Sequence, residues 1–486
     1  MPGAHLDCAA PLGGVSIVTA RLSALAQPAS VPLLALLACA VCVLLLDLGR
    51  APRRLMAALS LTGLIIAAAM AVIVVTSGQG GSIQGIMSLD GSSALFVLFF
   101  CGVGAACLLT EQGMPAALGM RDASGYALLL LAASGSTIVA QSNHWMPTII
   151  GMAVLHVSLA ALIGSQSAWL YVLVQGLSQA LTLFGAVLLY GATGTMQTGG
   201  LLDVLARSVP QGTANSLAVL GTGLVIAGVC TSMVIAPFHI WLRRACRHAW
   251  VPAGPMLSLA LPATAVAALA HVRHTWTAAS DLLALLGSMS VILGYVDALR
   301  SRSLPGALAG VTIAQSGCLL LAWVAAPDSG WVPPFYLMGS SGLAIVSLWA
   351  VTASVQSEAD SEPAVDDLAG LGQRRPWLAA AATLSLLSMA ALPPLAGSIA
   401  LLAFLRSAAA AYSGAVGMVL AGVGVAWLLT GRWTWTMWMR PPTDRQWART
   451  TPELLLLAVL SAGGLVLAGI CAEMLMRWIA GLSAIV

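Results

Sequence analysis

Apolar runs of roughly twenty residues recur from one end of this chain to the other, each long enough to cross a bilayer of about 30 Å. Within hydrocarbon, a lone segment satisfies its backbone N–H and C=O groups only by coiling into a helix. Composition agrees: the chain is 59% hydrophobic and 8% charged, with a mean hydropathy of +0.95. Soluble globular domains do not reach such values. The expected fold class is therefore all-α, a polytopic membrane protein of about fourteen transmembrane helices. The spans fall at 31–48, 55–76, 93–110, 126–141, 145–163, 169–192, 216–241, 255–270, 279–298, 304–325, 331–355, 377–411, 415–432 and 453–473. A polar stretch of 30 residues precedes the first of them, which argues against a secretory signal peptide.

The arginines orient this topology. All 20 basic residues are arginine, so the chain contains no lysine. With the N-terminus outside, 15 of the 20 arginines fall in inner loops: Arg50, Arg53, Arg54, Arg121, Arg243, Arg244, Arg247, Arg300, Arg302, Arg374, Arg375, Arg432, Arg440, Arg445 and Arg449. That satisfies the positive-inside rule, and both termini then face outside. Trp433, Trp435, Trp438 and Trp447 cluster beside the inner arginines as an interfacial belt would. The net charge of +3 reflects loop arginines and does not point to nucleic acid. The stretch 356–376 holds the densest charge and reads as a solvated inner loop.

Two spans contain prolines where a helix should continue. One is C-T-S-M-V-I-A-P-F-H-I-W-L-R-R, broken at Pro237; the other is broken at Pro393-Pro394. Proline removes a backbone donor and clashes with the preceding turn. Inside a membrane such a break persists only where protein or water re-satisfies the freed carbonyls, and transporters build ion sites at such places. The breaks lie five spans apart, so the two helices run in opposite directions, the mark of an inverted repeat. The chain then divides into an outside segment 1–30, three spans over 31–110, a five-helix repeat over 126–270, a second over 279–432, and a last span with the C-terminus over 453–486.

The sequence A-P-F-H-I-W-L, followed by a basic turn and V-P-A-G-P, resembles the discontinuous seventh helix of the antiporter-like subunits of respiratory complex I. D-D-L-A-G-L-G-Q-R-R-P and the following L-P-P-L-A-G resemble their twelfth-helix region, and the subunit 2 (N) type is the nearest match. The resemblance marks Pro237, Phe238, His239, Trp241, Pro393, Pro394 and Gly397 as the broken-helix motif. It implies a non-redox membrane-arm subunit of a NADH-quinone oxidoreductase or related respiratory complex, in a bacterial inner membrane. Such a subunit has no cofactor and no catalytic centre of its own. Its implied partners are other membrane subunits and the lipid bilayer. A cation/proton antiporter, a membrane-bound hydrogenase or an inorganic-carbon uptake complex is the alternative setting.

A half-channel of that family would hold a glutamate, several lysines and a histidine at depth. Carried over one by one, the fifth-span glutamate falls at Ala153 and the seventh-span lysine at Ser232. The eighth-span lysine falls at about Thr264, the tenth-span histidine at Gln315 and the twelfth-span lysine at Leu401. Each relay position is thus apolar or neutral, and the relay reads as degenerate.

His156 lies three residues after Ala153 and so one turn along the same face. It can replace the glutamate as a proton carrier, or simply bond a neighbouring helix. His239 is expected to satisfy backbone groups freed at the break. Arg406 can snorkel to the outer surface, while Asp281, Asp297 and Glu473 lie near span ends. Cys39 and Cys42, a C-x-x-C inside the first span, read as packing residues. No Cys/His/acid spacing suggests a metal, and no glycine loop suggests a nucleotide.

Overall fold

The computed structural model describes residues 27–49, 51–78, 80–114, 124–198, 213–270, 279–325, 332–356, 362–409, 411–442, 447 and 451–483. Helices make up nearly all of it. In chain order they are α1 (Val31–Leu48), α2 (Arg53–Ser77), α3 (Gly91–Gln112), α4 (Ser124–Gln141), α5 (Trp145–Ile163) and α6 (Ser165–Thr193). Next come α7 (Thr213–Ser232), α8 (Ile240–His248), α9 (Leu261–Ala270), α10 (Ser280–Arg300), α11 (Leu304–Val324) and α12 (Val332–Val355). The last are α13 (Leu371–Arg374), α14 (Pro376–Met389), α15 (Ala396–Ala408), α16 (Ser413–Met439), α17 (Pro452–Ile470) and α18 (Ala472–Ser483). A two-stranded hairpin, β1 (Gly81–Ile83) with β2 (Met87–Leu89), joins α2 to α3.

Among the described residues, 12 helical segments are long and apolar enough to cross a membrane. Three shorter apolar helices lie at the two breaks: one within α7, and α14 and α15. Both interruptions are where the prolines place them. α7 stops at Ser232, five residues before Pro237, and α14 stops at Met389, ahead of Pro393. Val234 and Ala391 adopt left-handed φ values of 66° and 58°. The shift that carries Val234 onto Ala391 also carries Pro237 onto Pro394.

Burial sorts the helices into layers. The segment Val251–Ala270, which contains α9, is 94% buried, and α11 and α12 are also central, whereas most of α16 faces outward. Glycine lets neighbouring backbones meet. A Cβ on Gly135 of α4 would lie 2.6 Å from the Gly151 carbonyl of α5. A Cβ on Gly294 of α10 would likewise lie 2.6 Å from the Gly310 carbonyl of α11. One shift maps the first pair onto the second. Small residues at such crossings drive helix association in lipid, where hydrophobicity alone gives no preference.

The stretch after α12 departs from the solvated loop expected of it. Residues 357–361 lie outside the described residues, but Val365, Leu368 and Leu371 are buried. The Leu304 N–H donates to the Pro363 carbonyl, and the Val365 N–H to the Arg302 carbonyl, each at 2.8 Å. Three apolar residues interleaved among the charges dock this segment beneath the start of α11; Asp367 is buried and accepts the Ala364 N–H at 2.7 Å, while Asp366 and Glu362 meet arginines. Arg440 meets Asp366 at 2.8 Å, and Arg247 grips Glu362 with contacts of 2.7, 3.0 and 2.7 Å.

Candidate functional site

The first candidate site forms where α5, α6 and the end of α7 meet. His156 is 6% exposed and Ser232 2%. The imidazole Nε2 lies 3.3 Å from Ser232 Oγ, and Nδ1 lies 3.2 Å from the Tyr171 hydroxyl. Both partners are hydroxyls, which donate or accept equally well, so either neutral tautomer is satisfied. Tyr171 in turn packs edge-on against Trp241, with ring centroids 5.1 Å apart. The face of α5 that holds His156 is therefore turned toward Ser232 at the end of α7. Gln175, one turn beyond Tyr171 on α6, is buried with neither amide atom paired, and Gln141 at the end of α4 is in the same state.

The break itself is held by a residue that sequence reasoning missed. The Ala236 N–H donates to Ser290 Oγ of α10 at 2.9 Å, while Ser290 donates to the Leu286 carbonyl at 2.6 Å. The Gly228 carbonyl, in the last turns of α7, accepts from Ser178 of α6 at 2.7 Å. His239, expected to serve the break, leaves Nδ1 buried without a hydrogen-bond partner. It starts the turn into α8, and serine hydroxyls from neighbouring helices are better placed. Arg243 on α8 bonds Asp297 through Nε, at 3.0 Å from Oδ2, and through Nη2, at 3.1 Å from the Asp297 carbonyl.

A second site surrounds the other break. Gln315 donates to the Tyr295 hydroxyl at 2.8 Å, and Tyr295 donates to the Met389 carbonyl, the last of α14, at 3.3 Å. Leu401 lines a small cavity of about 40 Å³ here, together with Tyr295, Gln315, Ser340, Ser341 and Ser388. Gly397 approaches α14 so closely that an added Cβ would sit on the Ser388 carbonyl, and its N–H donates to Ser388 Oγ at 3.0 Å. The shift that superposes the two glycine crossings carries His156 onto Gln315 and Ser136 onto Tyr295. Thr264 of α9 donates to Ser136 Oγ of α4 at 2.9 Å.

Tyr171, Tyr295, Ser290 and Ser136 were not singled out from sequence. The available signal was a hydroxyl inside an apolar run, which many other residues share. Glu111 was also missed. It closes α3 and is 4% exposed, beside Gln112, which donates to Tyr126 at 3.1 Å. A span drawn one residue short concealed it.

Two broken helices, each backed by neutral polar residues, and glycine crossings related by one shift characterise this bundle. The model of the NADH:quinone oxidoreductase/Mrp antiporter transmembrane family matches residues 123–428. The chain belongs to this family. Among its relatives, subunit N of the NADH-quinone oxidoreductase of Desulfovibrio desulfuricans is 29% identical, over 95% of this chain and 98% of that one. Subunit N from Trichlorobacter lovleyi is 26% identical, over 86% of this chain and 89% of that protein. A chain of respiratory complex I from Thermus thermophilus superposes with a TM-score of 0.78 at 24% identity, covering 92% of this chain and 98% of its own length. A chain of an archaeal membrane-bound sulfane sulfur reductase gives 0.83 at 18%, over 96% and 97%. One from the Mrp complex of Dietzia gives 0.77 at 17%, over 93% and 97%. This member of the NADH:quinone oxidoreductase/Mrp antiporter family is thus a polytopic membrane protein with the fold of its antiporter-like relatives.

Proposed function

We propose that the chain is a membrane-arm subunit of the N type in a NADH-quinone oxidoreductase or related respiratory complex, with the scaffold retained and the charged relay replaced by neutral groups. The observation that carries this reading is the contact between His156 and Ser232. The lysine-equivalent position of the broken helix meets the face of α5 that also holds the glutamate-equivalent Ala153, with no ionic pair at either place. His156 is the remaining titratable group there and is the proposed proton carrier. The motif residues Pro237, Phe238, Trp241, Pro393, Pro394 and Gly397 shape the breaks, and Thr264, Gln315 and Leu401 are substituted relay positions. The chain is arranged as fourteen crossings with repeats 126–270 and 279–432 in opposite senses. It sits in a bacterial inner membrane with both termini outside.

A second reading is supported by the comparable likeness to the Mrp and sulfane sulfur reductase chains. It makes the chain a subunit of a cation/proton antiporter or of another membrane-bound respiratory assembly. Affinity capture of the full chain from native membranes separates the two. Co-purification with complex I subunits supports the first, an antiporter set supports the second, and a chain that purifies alone overturns both. Within the captured complex, His156→Ala is expected to reduce proton uptake severalfold and leave assembly intact. Unchanged uptake would reduce His156 to a packing residue.

A further inference from the structure

α3, α12, α17 and α18 leave a cavity of about 470 Å³ between them. Its wall is hydrocarbon, with Phe99 from α3, Leu343 and Val346 from α12, Leu457 from α17 and Ile479 from α18. Hydroxyls in the wall belong to Tyr336, Ser340 and Ser461. Tyr336 donates to the Ala468 carbonyl at 2.8 Å and Ser340 to the Leu337 carbonyl at 3.1 Å. At most Ser461 is left to orient a polar ligand head, whereas ring-headed ligands are held by several placed polar groups.

Two helical glycines, Gly102 of α3 and Gly339 of α12, also line the cavity, and a Cβ on either would meet nothing within 4 Å. Glycine weakens a helix, and between membrane helices it normally lets backbones close up. Here no backbone closes up. Gly342, one turn along α12, shows the contrast, because its added Cβ would lie 2.8 Å from the Phe99 ring. Close-packed interiors do not keep large apolar voids without an occupant. The space is open to the outside along Gly102, which is exposed, so a flexible chain can enter it from the side. Trp478 of α18 belongs to the wall yet is 48% exposed, so it stands where the cavity reaches the surface. α18 directly follows the last candidate span, which puts Trp478 near the membrane–water interface, where indole rings sit at headgroup level.

We propose that this cavity holds one acyl chain of a bilayer phospholipid, with the headgroup beside Trp478. A seated chain exchanges more slowly than lipid on an open helix face. The assignment depends on the chain lying in a membrane and not on which complex it joins.

The probe is phosphatidylethanolamine carrying a diazirine on its acyl chain, added to membranes containing the full-length protein, irradiated, and mapped by peptide mass spectrometry. Residues flanking Gly102 and Gly339 are expected to be labelled at least threefold more than the outward faces of α1 and α2. Gly102→Phe with Gly339→Phe, which fills the cavity, should bring that labelling down to the level of those faces. Wild-type wall labelling no greater than on the outer faces overturns the proposal, and this arm is decisive even if the filled variant fails to accumulate. Labelling that persists unchanged in a folded filled variant also overturns it. So does a photo-cross-link from p-benzoylphenylalanine at Leu343 to another polypeptide, which would give the space to a partner subunit.

Discussion

At the scale of single residues, the neutral pair His156 and Ser232 decides what charge this half of the molecule can accept. Ser232 is buried against an imidazole that already bonds two hydroxyls. Ser232→Lys would introduce an ammonium with no carboxylate to answer it. An unpaired charge at membrane depth costs about 2.5–3.5 kcal/mol on insertion scales. The single change is therefore expected to lower the amount of folded protein in membranes and to give no proton translocation. Ala153→Glu adds a partner on the same face of α5, one turn from His156. The double variant Ala153→Glu with Ser232→Lys is expected to recover part of the loss. Strict additivity of the two single losses would mean the positions do not face one another.

The elements around the first break depend on side chains that arrive from elsewhere. Ala236 is buried at 3% exposure, and its N–H has Ser290 Oγ as acceptor. Ser290→Ala leaves that donor unpaired, at a cost of about 1–3 kcal/mol. The measurement is the thermal midpoint of the purified protein, with Ser288→Ala as control. Ser288 donates to the Leu285 carbonyl of its own helix and, at 3.4 Å, to the Met418 sulfur, so its removal should matter much less. Equal shifts for the two variants would contradict the role given to Ser290. Beyond the break, α8 is pinned by Arg247 to Glu362. Partial burial pushes the Glu362 carboxyl up, but bonds from Arg247 and Ser303 outweigh it and hold the group below its ordinary value of 4.5. A depressed carboxylate stabilises the fold above that ordinary value and loses the contribution as pH falls through the lowered one. The pair is partly exposed, so the effect is under about 1 kcal/mol. The melting gap between wild type and Glu362→Gln should be open at neutral pH and close as pH falls below 4.5. A gap that stays constant through this range would rule the linkage out.

For the whole molecule, the arginines make a statement about orientation that labelling can check. Gln373 is exposed on α13, between the docked segment 363–371 and the start of α14. With the native cysteines replaced by serine, Gln373→Cys should react with a membrane-impermeant maleimide only from the inner side. Reaction from outside would invert the topology and detach it from the positive-inside rule. The same scale shows what repeats in this fold. The α4–α5 and α10–α11 pairs cross on facing glycines related by one shift, and each half contains a break with a left-handed residue three positions before a proline. The polar residues set on that common frame differ, His156 in one half and Gln315 in the other.

Hydropathy by itself determined that the chain would be a bundle of membrane helices, because a run of twenty apolar residues has no other way to satisfy its backbone in lipid. The prolines by themselves located both interruptions, and the absence of lysine means that no side-chain ammonium lies anywhere in the chain. These features are local and need no knowledge of neighbours. Pairing was different. That His156 would meet Ser232 and Tyr171, that Ser290 would take the Ala236 N–H, and that Tyr295 would reach the Met389 carbonyl are consequences of how helices cross. Crossing is set by close backbone contacts such as Gly135 on Gly151, and a hydropathy pattern reports only which face is apolar. The charged stretch after α12 failed as a solvated loop for a related reason: Val365, Leu368 and Leu371 are too few to form a periodic signal, yet enough to dock once the start of α11 supplies a surface. The α18 helix also escaped notice, because 453–473 read as one span, whereas the turn at Cys471 ends α17 and a second helix begins at Ala472.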